Sequence, residues 1–312
     1  MWKRSRPLPP RSAEPTAAAA ARHPPSSAWL ASFAAGLTAL SFAVLSSGCE
    51  STNQDTVNKA LAHAQRLVDT AKQDAGEVRH GLPRGAEELA KVWADEANPL
   101  GDPEAARRLL TRAHDKTQDL RVAKSTFFAL ASLDGTVIRN DREQDRMAGR
   151  PLFPSFPELA RAAQGDYVEA LGSLPEAHGV KGKPDAEWVA AKGVRVGDAV
   201  RALYVTGWAW SSYAYRLEFS LRGQVERELR GTRQNVPLLY VFVIVGADVY
   251  GAPESPEVNA RSISERDPLA HLNPQGSFST LLEITGRTFA LGVQAAPDLA
   301  PRVAIGVLRS EL

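Results

Sequence analysis

The sequence predicts an α+β protein: an antiparallel sheet flanked by helices, preceded by an N-terminal helical region. Three observations predict it. Val57, Leu61, Ala64, Val68, Ala71, Ala75 and Val78 are spaced alternately by four and three, which places all seven on one stripe of a helix from about Asp55 to Arg79. Phe127 to Leu133 and Thr136 to Asn140 are short β-favouring runs joined by Asp134-Gly135, a pair that accepts the positive φ angles of a two-residue hairpin. Val236 to Val245 is the most apolar run of strand length and reads as a central strand covered on both faces.

The remaining elements follow in order. Gly81, Pro83 and Gly85 are expected to stop the first helix, with further helices over Glu87 to Ala97 and Pro103 to Val122; Pro103 suits a first helical turn. The Val57 stripe needs cover, either from these next segments or from a second copy in a parallel coiled coil. Past the hairpin, Pro157 to Gln164 and Asp166 to Leu171 read as helical, and a loop runs through Gly179, Gly182 and Pro184. Trp188 to Val196 and Ala199 to Trp208 flank Gly197-Asp198 as a second hairpin. Leu217, Leu221, Val225 and Leu229 mark a helix over Ser212 to Arg230, stopped by Gly231. Residues 251 to 276 read as a polar loop, followed by an antiparallel pair, Phe278 to Ala295 and Arg302 to Leu308.

Ahead of the stripe lies a leader. Lys3, Arg4, Arg6, Arg11 and Arg22 precede the uncharged apolar run Ala28 to Leu45, and Ser46, Ser47 and Gly48 lead to Cys49, the one cysteine of the 312 residues. Leu45-Ser46-Ser47-Gly48-Cys49 resembles the lipobox of a bacterial lipoprotein signal, with the leucine one position further upstream than usual. That resemblance implies lipidation of Cys49, removal of residues 1–48 and stable attachment through several acyl chains. Glu50, in place of an aspartate after the cysteine, implies the outer membrane rather than the inner, with the body facing the periplasm. An uncleaved anchor competes with this reading, since 18 apolar residues give about 27 Å of helix.

Composition bounds the rest. Without the leader's five basic residues and Glu14, the chain holds 32 basic and 35 acidic residues, a net charge of −3, so no strong field points to nucleic acid. A single cysteine permits no internal disulfide, and the fold must stand on packing alone.

The order long helix, hairpin, helices, hairpin, helix and closing antiparallel strands, opened by Phe128-Ala129-Leu130-Ala131-Ser132-Leu133-Asp134-Gly135-Thr136-Val137-Ile138-Arg139-Asn140, resembles the PAS-like sensor domains of the Cache and GAF types. The resemblance implies three segments: the leader at 1–48, a helical region at 49–122 and a PAS-like domain at 123–312. It also implies a non-catalytic sensory or ligand-binding role. The amino-acid-binding pattern of Cache sensors is not matched; Tyr215-Arg216 lacks its companions.

Catalytic and metal signals are weak. His63, His80, His114, His178 and His271 show no zinc spacing, Ser211-Ser212 sits in no nucleophile elbow, and Gly179 to Lys183 lacks the phosphate-loop pattern, so no enzyme, metal or cofactor is expected. Asp134 suits a turn. The best binding candidates are Tyr204, Trp208, Trp210 and Tyr213, aromatics with polar tips at a strand-to-helix junction. The expected partners are the membrane through Cys49 and either a small molecule or an envelope protein. An assembly lipoprotein using the Val57 stripe and the 251–276 loop is the alternative, and an envelope hydrolase the second alternative.

Overall fold

The computed structural model describes residues 44–175 and 184–311, with side chains over 53–174 and 186–311. Most of the leader, the side chain of Cys49 and the loop through Gly179 and Gly182 lie outside the described residues. One helix, α1 (Val44–Val92), organises everything else. It runs through Gly81, Pro83 and Gly85 without stopping, because Leu82, Ala86 and Leu89 beyond the expected end are as fully buried as the stripe before it. Burial of that continuous apolar face outweighs the helix-breaking tendency of one proline and two glycines.

After a short 3-10 turn come α2 (Pro103–Lys116), whose Asp102 cap accepts a hydrogen bond from the Glu104 amide, and α3 (Gln118–Val122). Two antiparallel sheets follow. The first contains β1 (Phe127–Ala131), β2 (Val137–Asn140), β3 (Tyr167–Pro175), β4 (Pro184–Val196) and β5 (Ala199–Ala209), in the order β2-β1-β5-β4-β3. α4 (Trp210–Leu229) then leads into β6 (Leu238–Val245), β7 (Asp248–Gly251), α5 (Glu257–Ser264), β8 (Ser277–Ile284), β9 (Arg287–Ala295) and β10 (Val303–Ser310). The second sheet has the order β7-β6-β10-β9-β8, the first order repeated five strands later. The α+β class and the antiparallel pairing are as expected, with two sheets where one was anticipated.

Several local expectations need correction. Asp166 to Leu171, expected as helix, is the start of β3, held by a nine-residue register on β4 from Tyr167↔Lys192 to Pro175↔Pro184; sheet pairing overrides the local helix propensity of Glu, Ala and Leu. Pro157 to Gln164 is a 3-10 helix. The expected polar loop contains α5, and the expected long strand from Phe278 to Ala295 is a hairpin, turning at Thr285 and Gly286 with φ of 50° and 75°.

The core is continuous across both sheets. One face of each sheet, through Leu130, Trp188 and Tyr204 on the first and Val241, Ile305 and Val307 on the second, shares a single apolar cluster with Ala64 to Val92 of α1. The Val57 stripe is thus covered within the chain, by sheets as well as by the neighbouring helices. The far face of the first sheet is packed by Met147, Leu152, Phe156 and Leu159, and that of the second by Ile263 of α5. Polar clamps fix the helix at both levels. Arg79 donates to both carboxylate oxygens of Glu169 on β3 and to the Asp298 carbonyl before β10, while Arg309 on β10 lies 2.8 Å from the buried His63 imidazole. Among the described residues no helix is long and apolar enough to cross a membrane.

Candidate functional site

Alternation along β5 decides where the four predicted aromatics go. Leu203 and Val205 face the Met147–Leu159 cover, so Tyr204 and Trp208 face α1. Trp208 sits directly opposite Trp188 of β4, with ring centroids 4.3 Å apart and planes 18° from parallel, and Tyr213 of α4 stacks on its far side at 4.8 Å. Trp210 completes the group. Tyr204 and Trp208 are 0% exposed, and Trp210 and Tyr213 are 1% exposed, so all four lie inside the closed core between sheet and helix. Among the described residues, Tyr204 Oη, Trp208 Nε1 and the neighbouring Trp188 Nε1 find no hydrogen-bond partner.

Tyr213 is the exception. Its hydroxyl donates to Asp74 Oδ2 of α1 at 2.9 Å, across 139 residues of sequence. Asp74 is 4% exposed, and burial raises its carboxyl pKa to about 6 against the opposing pull of the Tyr213 hydrogen bond. Burial likewise pushes the Tyr213 and Tyr204 phenols well up, so both stay protonated. Sequence reasoning missed Asp74 and Trp188, since their proximity depends on α1 lying across strands that come more than a hundred residues later.

An open cavity lies elsewhere, at the second sheet. It measures about 470 Å³, within the size range of small-molecule sites, and opens between β7, the loop 252–256 and α5. Val249 and Ala260 contribute apolar lining over the buried Phe242, Arg261, Tyr250, Ser255 and Glu257 contribute polar atoms, and Ala186 of β4 and Ser211 of α4 also line it. Gly251 makes the geometry possible, because a Cβ there would stand 2.7 Å from the Phe242 ring and 3.2 Å from Ser255. Ser255 Oγ is buried without a hydrogen-bond partner among the described residues, and burial raises the Tyr250 phenol pKa. The signal available in sequence was the Gly251-Ala252-Pro253 and Ser255-Pro256 run, which reads only as loop.

The other candidates have structural surroundings. Asp134 accepts hydrogen bonds from Ser132 Oγ and the Thr136 amide within the β1–β2 turn, and the Ser132 bond holds its carboxyl below the usual range. Among the described residues no three His, Cys, Asp or Glu side chains gather as a metal site. His178 and the Gly179 to Lys183 segment lie outside the described residues.

No protein-family profile matches the chain, and no curated protein matches it. Solved structures do. The extracellular domain of vpHK1S-Z8, assigned as a histidine kinase, superposes with a TM-score of 0.51 at 10% identity, over 84% of this chain and 93% of that one. The sensor domain of the Vibrio cholerae histidine kinase DctB gives 0.46 at 14% identity, over 84% and 99%. The ligand-binding domain of the Pseudomonas fluorescens chemoreceptor CtaA, in complex with L-isoleucine, gives 0.45 at 12% identity, over 85% and 95%. These neighbours are sensor and ligand-binding domains of kinases and chemoreceptors, and the first of them shows that this chain shares its fold.

Proposed function

We propose that the protein is a lipid-anchored sensory domain of the bacterial cell envelope, which binds a small molecule and catalyses no reaction. In this reading residues 1–48 are removed, acylated Cys49 holds the chain to the membrane, with the outer membrane favoured, and the body faces the periplasm. The observation that carries the sensory half is the fold this chain shares with the extracellular domain matched above. Of the two surfaces an assembly lipoprotein would use, the Val57 stripe is covered, since Val57, Ala64, Val68, Ala71, Ala75 and Val78 are buried, which leaves the 251–276 segment.

The anchor is tested by the intact mass of tagged full-length protein from the membrane fraction of a lipoprotein-competent Gram-negative host, alongside Cys49→Ala. The expected mass starts at Cys49 and includes acyl chains, and the variant loses both features; an unprocessed wild-type mass would replace lipidation with an apolar anchor. A thermal-shift screen across neutral, cationic, anionic and zwitterionic compounds tests the sensory half. Silence in every class would sink it.

A further inference from the structure

We propose that the cavity between β7 and α5 binds a small organic anion with an apolar body, a branched short-chain or aromatic carboxylate, with Arg261 as its charge partner. The inference rests on the ligand-binding reading above and names the place and chemistry of the ligand. Three kinds of group converge there. Val249 and Ala260 present apolar surface to the body of a ligand, above the fully buried Phe242. Arg261 supplies a guanidinium that forms no ion pair with any described acid, although Glu257 lies four residues before it on the same helix; Glu257 has an interaction of its own. Ser255 supplies a buried hydroxyl with no partner among the described residues, and Tyr250 a phenol kept protonated by burial.

A carboxylate satisfies this set. A guanidinium binds a carboxylate through two parallel N–H···O bonds, each stronger than a neutral hydrogen bond, and the hydroxyl of Ser255 gains the acceptor it lacks. A neutral amide of the same shape meets the apolar lining equally well, yet offers Arg261 no charge to pair with. Discrimination between acid and amide therefore isolates the role of Arg261 from that of the cavity.

The test uses the full-length protein, titrated calorimetrically and by thermal shift with benzoate and 3-methylbutanoate, and with benzamide and 3-methylbutanamide as matched neutral probes. The acids are expected to bind and raise the melting temperature, and the amides to bind about tenfold or more weakly. Arg261 is exposed, so Arg261→Gln leaves packing intact; it should weaken the acids by a similar factor and the amides by much less, with Arg261→Lys in between for the acids. Ala260→Phe, which fills the cavity, should remove both. Equal binding of acid and amide, acid binding indifferent to Arg261→Gln, or no acid binding would each overturn the proposal. If the acids fail while another class in the broad screen binds, the anion site falls and the sensory reading stands; if no class binds, both fall.

Discussion

Asp74 shows how a single side chain couples burial to pH. Its carboxyl is enclosed by α1, α4 and the loop before β1, with Tyr213 donating to it, Glu77 raising its pKa and Lys124 and Arg216 lowering it. An unfolded aspartate titrates near 3.9, whereas the folded one titrates at about 6, so the folded state binds the extra proton between those values. Stability contributed by this group is therefore present below pH ~4 and is lost as pH rises through about 6, by at most roughly 3 kcal/mol. Asp74→Asn keeps a hydrogen-bond acceptor for Tyr213 and removes the charge. Melting curves from pH 4.5 to 7.5 should converge at the acid end and separate at neutral pH, with the variant the more stable. Parallel profiles would show that Asp74 is not the titrating group. The sequence placed Tyr204, Trp208, Trp210 and Tyr213 at one junction, and they do share one. Their face was not legible, because the strand alternation of β5 has no absolute phase until α1 covers one side of it.

Glycines explain why element boundaries were harder to read than elements. In α1, Gly81 and Gly85 were expected as breakers. Instead a Cβ at Gly81 would stand 2.7 Å from Leu120, and one at Gly85 would stand 2.7 Å from the Tyr204 ring, so both serve close approach to the helix. A glycine in a sequence announces backbone freedom or missing volume, and only the fold says which. Hairpins with Asp134-Gly135 and Gly197-Asp198 were legible because turn chemistry is local. β3 and the Thr285-Gly286 turn were not, since pairing partners decided them. The same distinction yields paired predictions. On β9, a Cβ at Gly292 would meet the α1 backbone at Leu61 N, 2.4 Å away, where no side chain can rotate aside. Gly292→Ala should cost about 3 kcal/mol or more by forcing α1 off the second sheet. Gly76, in the same helix with nothing within 4 Å of its would-be Cβ, should give Gly76→Ala a gain of about 0.5–1 kcal/mol. Denaturant melts of the two variants would measure both, and equal effects would refute the close-packing account.

At the scale of the molecule, the duplicated sheet order was invisible in sequence because the two halves share a path of the chain and not a pattern of residues. What makes the duplication one structure is the shared core. Residues of α1 from Ala64 to Val92 belong to a single apolar cluster with strands of both sheets, and Ser46–Leu312 forms one compact unit. Arg79 reinforces this by reaching Glu169 on one sheet and the Asp298 carbonyl beside the other. If either sheet unfolds alone, it strips α1 along half its length and exposes the apolar face that the other half still holds; partial unfolding then costs almost the burial of the whole without releasing the full chain entropy. Calorimetry of the full-length protein should accordingly show one transition with equal calorimetric and van't Hoff enthalpies. Gly292→Ala, although it touches only the second sheet, should lower that single transition as a whole. Two resolved transitions, with the substitution moving only one, would mean that the sheets are independent domains joined by a passive helix. A ligand bound at the second sheet would then have no route through the core to the first.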